Sequence, residues 1–175
     1  DGLANSGTPA KYLLKTASSM DGTYNLFVDD CTLRDVVLGG DGNFFRAYSG
    51  TYADSIIFTN SVLFNSGKEG IRVKDSDNSV GYFEFSYSTM YNTRGEGVYV
   101  QGNAVQFRVN HCTFDNVGST RKDSVRPRFI VDAEVRNSVF SNTPEPHHRV
   151  MLMYGSSSVD YSAFYNVGEI AEHDS

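Results

Sequence analysis

Cations recur at matching places along this 175-residue chain, although its net charge is −6. Lys15, Arg46 and Arg72 each sit within a short, mostly apolar segment: YLLKT at 12–16, FFRAY at 44–48 and GIRVK at 70–74. Tyr48, Lys74 and Gln101 take the next outward position, and GVYVQ at 97–101 adds Tyr99. Alternation along neighbouring strands sends Ile71, Val73, Val98 and Val100 inward and leaves Arg72, Lys74, Tyr99 and Gln101 facing solvent. Like charges opposite one another on adjacent strands are unfavourable, so the row asks for a counter-charge. The chemistry it suggests is a groove for an anionic polymer, with Lys15, Arg46 and Arg72 as cations and Tyr48 and Tyr99 as stacking faces. The competing reading is ordinary surface charge, offset by Glu69, Asp75, Glu96 and Asp132.

Two loops add to this face. The segment 118–128, GSTRKDSVRPR, carries Arg121, Lys122, Arg126 and Arg128 against the single Asp123. Residues 143–149, TPEPHHR, bring His147 and His148, an adjacent pair more simply read as exposed polar loop than as a base or a ligand. Insertions in a repeat protein commonly fall on its binding face.

The elements that must position these groups are written as a repeat. FRVNHCTFDNV at 107–117 aligns without a gap to 26–36, 56–66, 83–93, 133–143 and 157–167. Cys31, Ser61, Ser88, Cys112, Ser138 and Ser162 then share one column at intervals of 24 to 30 residues. Three positions before it stand Val28, Phe58, Phe85, Val109, Val135 and Val159, and two positions after it Leu33, Leu63, Met90, Phe114, Phe140 and Phe164. Apolar residues at alternate positions mean strands, because only a period of two sends them all to one face. Asp35, Asn65, Asn92, Asn116, Asn142 and Asn166 form a further column at a turn, where side-chain amides can bond from layer to layer and Asn tolerates unusual backbone angles. Repeats of this length hold about three short strands and their corners, which is the pattern of a solenoid. The expectation is an all-β, right-handed, single-stranded parallel β-helix of about six turns with an Asn ladder. A β-sandwich with coincidental similarity is the alternative.

Residues 1–10 read as an N-terminal loop segment and 11–175 as a single β-helix domain. No apolar run approaches a membrane span, and the acidic balance argues against general nucleic-acid binding. Cys31 and Cys112 lie three turns apart in one column, roughly 14 Å at about 4.8 Å per turn. A disulfide needs Cα atoms within about 7 Å, so two buried free thiols are expected. Neither end carries a recognisable cap, and the last residues, VGEIAEHDS, begin a further turn. The chain is therefore expected to belong to a longer protein, with other domains as partners.

The rhythm x-N/S-C/S-T/V-F-x-N followed by G-x-E-G-I/V-x-V resembles the right-handed parallel β-helices of the pectate-lyase-like superfamily. It is similar, more narrowly, to β-helix domains of secreted bacterial polysaccharide-utilisation proteins that resemble chondroitinase B and the related alginate lyases. The likeness runs from about Tyr12 to Val167. It implies a secreted, cell-surface or periplasmic protein and a uronate-containing polysaccharide as partner. Those lyases act by β-elimination: calcium holds the substrate carboxylate, a Lys removes the neighbouring proton and an Arg assists. Carried over, the resemblance implies Lys74 as base and Arg72 as helper, with Arg46 one turn away. Glu69 and Glu96, on successive turns, would stand in for the family's Glu-x-Glu calcium pair, which this chain lacks. Arg72-Val73-Lys74 also resembles the Arg-x-Lys of polygalacturonases, but hydrolysis needs carboxylates flanking the bond, and Asp29 and Asp30 lie in another strand column. The leading expectation is a secreted domain that binds an acidic polysaccharide without turning it over and requires no cofactor. A calcium-assisted lyase and a structural spacer or adhesin module are the alternatives.

Overall fold

The computed structural model describes residues 9–17, 22–38, 41–73, 79–101, 106–118, 124–128, 132–143, 149–154 and 156–174. Its strands fall into three parallel sheets that the chain visits in rotation. Sheet 1 holds β1 (Tyr12–Lys15), β4 (Asn43–Ala47), β7 (Ile71–Val73), β10 (Val98–Gln101), β13 (Val125–Arg128), β16 (Arg149–Tyr154) and β19 (Glu169–Asp174). Sheet 2 holds β2 (Thr23–Asp29), β5 (Tyr52–Thr59), β8 (Ser79–Ser86), β11 (Gln106–Asn110), β14 (Ala133–Arg136) and β17 (Ser158–Asp160). Sheet 3 holds β3 (Thr32–Arg34), β6 (Val62–Ser66), β9 (Thr89–Thr93), β12 (Thr113–Val117), β15 (Val139–Thr143) and β18 (Ala163–Val167).

Each strand pairs with the corresponding strand of the next turn, so the molecule is a parallel β-helix of the right-handed type. The repeat suggests about six turns. Among the described residues, four (β5–β7, β8–β10, β11–β13 and β14–β16) have a paired neighbour on both sides in all three sheets. The outermost strands have one neighbour each and are less buried, as Phe164 and Val167 are against the fully buried Phe114 and Val117. No helix of the described residues is long and apolar enough to cross a membrane.

The core is a set of vertical columns. Leu33, Leu63, Met90, Phe114, Phe140 and Phe164 are in register on sheet 3, and Phe114 stacks on Phe140 with ring centroids 5.0 Å apart. Val28, Phe58, Phe85, Val109, Val135 and Val159 do the same on sheet 2. Sheet 1 closes the triangle with Phe45, Ile71, Val98 and Val125. Burying each such side chain contributes about 1.5–3 kcal/mol.

Sequence alternation makes these columns, and the corners hold them in phase. Two non-glycine residues per turn take left-handed backbone, one just before the small residue and one four positions after it. At the second corner, Asn65 donates to Asp35 at 2.7 Å, Asn92 to Asn65 at 3.4 Å, Asn116 to Asn92 at 3.0 Å and Asn166 to Asn142 at 3.0 Å. Asn142 turns instead to Asp115 Oδ1 at 2.7 Å.

The small-residue column has more chemistry than its size suggests. Ser61, Ser88, Ser138 and Ser162 each donate to the carbonyl two residues back. Each accepts the backbone N–H of its counterpart one turn earlier: Cys31 to Ser61, Ser61 to Ser88, Cys112 to Ser138 and Ser138 to Ser162. Cys112 is buried and its thiol donates to the Phe85 carbonyl at 3.2 Å. Both cysteines are free, but Cys31 is half-buried rather than buried: among the described residues the strands that flank it, β2 and β3, are the outermost of their sheets.

Candidate functional site

The predicted cation row is a single column on the outer side of sheet 1. Lys15 faces Arg46, Arg46 faces Arg72, Arg72 faces Tyr99, and Tyr99 faces Arg126. Gln101 faces Arg128 in the adjacent column. For Arg126 and Arg128 the description is of backbone register only. Lys74, Arg121, Lys122, His147 and His148 lie outside the described residues.

Two glycines set where this column begins. A Cβ on Gly70 would lie 2.7 Å from the Gly97 carbonyl, and one on Gly97 would lie 2.7 Å from the Ser124 carbonyl. Backbones this close leave no room for a side chain, which is why Gly precedes both β7 and β10. The strands enter directly from the corner that carries Glu69 and Glu96, both buried.

Exposure falls along the column. Lys15 is exposed and, among the described residues, has no ion-pair partner. Arg46 is half-buried between two phenols, its guanidinium carbon 5.7 Å from the Tyr12 ring centroid and 4.9 Å from that of Tyr48. Its Nη1 donates to the Tyr12 hydroxyl at 3.3 Å, whereas its buried Nε has no hydrogen-bond partner among the described residues. The aromatic faces stabilise the charge but do not neutralise it.

Arg72 and Tyr99 depart from the solvent-facing positions that alternation assigns them: they are 9% and 1% exposed. Both are on the outer side of the strand, and both are covered. Arg72 Nη1 pairs with Glu69 Oε1 at 2.8 Å, and Asn43 Nδ2 approaches the other carboxylate oxygen at 3.3 Å. Tyr99 donates to Gln101 Oε1 at 3.0 Å and presents no open face for stacking. Tyr48 packs edge-on to Tyr12, with centroids 6.2 Å apart, and covers Arg46 instead of standing free. A hydrogen bond between the two phenols raises the pKa of Tyr48.

Sequence reasoning left Tyr12 and Asn43 out of the site. Tyr12 opens the first of the sheet 1 segments and Asn43 immediately precedes the second, but their role depends on the register that brings Tyr12 opposite Asn43 and beside Arg46. Among the described residues, no three His, Cys, Asp or Glu side chains converge in a way that could hold a metal. Glu69 has one carboxylate oxygen on Arg72 and the other on Asn43.

The chain matches no family model, no curated protein and no solved structure. What this face can do is read from its geometry. Two cations, Lys15 and Arg46, stand side by side on a regular parallel sheet, while the third is neutralised from below. The spacing of about 4.8 Å between strands repeats along the solenoid axis, so a polyanion laid along that axis meets one side chain per turn.

Proposed function

We propose that the protein is a secreted, pectate-lyase-like β-helix module that binds an acidic, uronate-containing polysaccharide on the outer face of sheet 1. The observation that carries this reading is the pairing of Lys15 with Arg46 in register with no carboxylate on either among the described residues, next to an Arg72 whose charge Glu69 cancels. Neighbouring cations repel, and an arrangement that leaves the two outer ones uncompensated while pairing the inner one is suited to an external anion. The polymer supplies a carboxylate on each unit, and Tyr12 and Tyr48 hold Arg46 in place for it.

Geometry also selects the variant for the test. Reversing Arg72 would disturb a buried ion pair, so Lys15→Glu with Arg46→Gln is the informative change. The double variant is expected to bind polygalacturonate and alginate roughly tenfold more weakly or worse, the scale of losing interfacial charge contacts, with an unaltered circular dichroism spectrum. Wild-type affinity is expected to fall as salt rises. Undiminished affinity in the folded double variant would remove the site from sheet 1. Incubation with and without calcium, followed by ultraviolet absorbance, separates binding from cleavage: unsaturated products would replace the binding module with a lyase.

A further inference from the structure

Sheet 2 has an outer face of different chemistry. Register places Glu84, Arg108 and Glu134 opposite one another on β8, β11 and β14, with Asn110 opposite Arg136 beside them. A cleft of ≈ 340 Å³ lies over these groups and extends from Tyr82 to Asn137. Its polar atoms are held in place. The Tyr82 hydroxyl donates to Glu84 Oε2 at 2.6 Å and Ser86 Oγ to Oε1 at 2.5 Å. Arg108 Nε lies 3.4 Å from Glu134 Oε2, and Arg136 reaches Glu134 and Asp160, each at 3.5 Å. Burial, with the Glu84 hydrogen bond as the next cause, pushes the Tyr82 phenol up to about 12.

Carboxylates and guanidiniums alternate here, so neither sign of ligand is favoured. An anion meets Glu84 and Glu134; a cation meets Arg108 and Arg136. A neutral chain of hydroxyls meets no such opposition, because each hydroxyl can accept from a guanidinium or amide and donate to a carboxylate.

An independent observation lies on the rim. The corner between sheets 2 and 3 is a column of left-handed residues: Asp30, Asn60, Tyr87, His111, Asn137 and Tyr161. Asn and Asp accept that backbone readily, whereas a bulky side chain is strained in it. Tyr87 at φ 49° and Tyr161 at φ 49° are nonetheless 59% and 88% exposed, so burial does not offset the strain. Tyr87 stacks on His111 with centroids 4.9 Å apart. Asn137, between His111 and Tyr161 in this column, lines the cleft and donates to Asn110 Oδ1 at 2.9 Å. Backbone strain kept at exposed aromatic positions points to use, and aromatic faces beside fixed polar groups suit a ligand with one apolar face and a hydroxylated edge.

We propose that the sheet 2 cleft and its aromatic rim bind a neutral oligosaccharide running along the solenoid axis, a ligand distinct from the acidic polymer assigned to sheet 1. Titration with cellohexaose, xylohexaose and mannohexaose tests this, with polygalacturonate as the control. At least one neutral hexasaccharide is expected to bind. Tyr161→Asn should weaken that binding about tenfold, as for an aromatic interface anchor, while raising Tm, because Asn suits the left-handed backbone. Tyr87→Asn should weaken it in the same direction, and Lys15→Glu with Arg46→Gln should leave it unchanged. Silence from all three sugars at millimolar concentration would overturn the proposal. So would displacement of the bound sugar by polygalacturonate, or a Tyr161→Asn variant with lower Tm and wild-type affinity. Failure of the neutral sugars to bind, or of the Tyr161 variant to weaken them, leaves binding through Lys15 and Arg46 untouched, whereas loss of polygalacturonate affinity in the Lys15→Glu, Arg46→Gln variant counts against sheet 1 alone.

Discussion

Arg72 and Glu69 share a place with little water, and each depends on the other. Glu69 is 3% exposed and its partner 9%, so removing the carboxylate strands a buried cation. Glu69→Ala is expected to lower stability by about 3–5 kcal/mol, measured by urea denaturation, while a fully solvated change such as Lys15→Ala should stay within about 0.5 kcal/mol. An equally small loss for Glu69→Ala would mean that Arg72 escapes to solvent. The two thiols differ for the same reason of solvation. Burial pushes the Cys112 thiol up to about 12 from an unfolded value of 9.0. Above pH ~9 the unfolded chain therefore holds fewer protons than the folded one, and stability falls as pH rises. Cys112→Ala should flatten that decline between pH 8 and 10. At neutral pH a thiol reagent should modify Cys31 in the native protein and reach Cys112 only after unfolding; equal rates would contradict the burial.

At the scale of the strand, the inward columns carry the stability. Phe114 packs between Phe85 at 5.5 Å and Phe140 at 5.0 Å, and Phe114→Ala is expected to cost about 3–5 kcal/mol by the same urea assay. A loss below about 1 kcal/mol would mean that the turns close over the gap. Phe114 was legible before any coordinates because alternation is local: five neighbouring residues suffice to place it inside. The Ser hydroxyls were legible only as small, since their partner is an N–H one turn away. Tyr99 was misjudged because alternation decides which side of the sheet a residue leaves, and exposure depends on what lies over that side. Glu84, Arg108 and Glu134 stood in one column of the aligned repeats, between the two inward positions. Read singly they are ordinary outward polar residues, and only the alternation of sign down the column marks them. The aromatic replacements Tyr87, His111 and Tyr161 in a corner otherwise filled by Asn and Asp were likewise on view, but their meaning requires the left-handed backbone.

Over the whole molecule, strands pair only with those of the turns before and after, although Arg94 reaches two turns back to the Leu38 carbonyl at 2.8 Å, so stability accumulates along one axis. Hydrogen exchange should be slowest in β7 to β13, which have two or more paired strands on each side, and fastest in the edge strands β1, β2, β3, β17, β18 and β19, which have one neighbour each. Uniform protection from end to end would indicate an all-or-none unit. The same architecture governs how the chain could change length in descent. Asn92 and Asn116 are 24 residues apart at equivalent corners, so a gene that lost codons 93–116 would join Asn92 to Val117. Val117 stands opposite Thr93, and the spliced chain would continue in phase with its apolar columns intact. That excision would also remove Arg108 and bring Glu84 against Glu134, two like charges on adjacent strands. Whole turns are interchangeable to the backbone, while the order in which they follow one another is recorded in the charges on the outside.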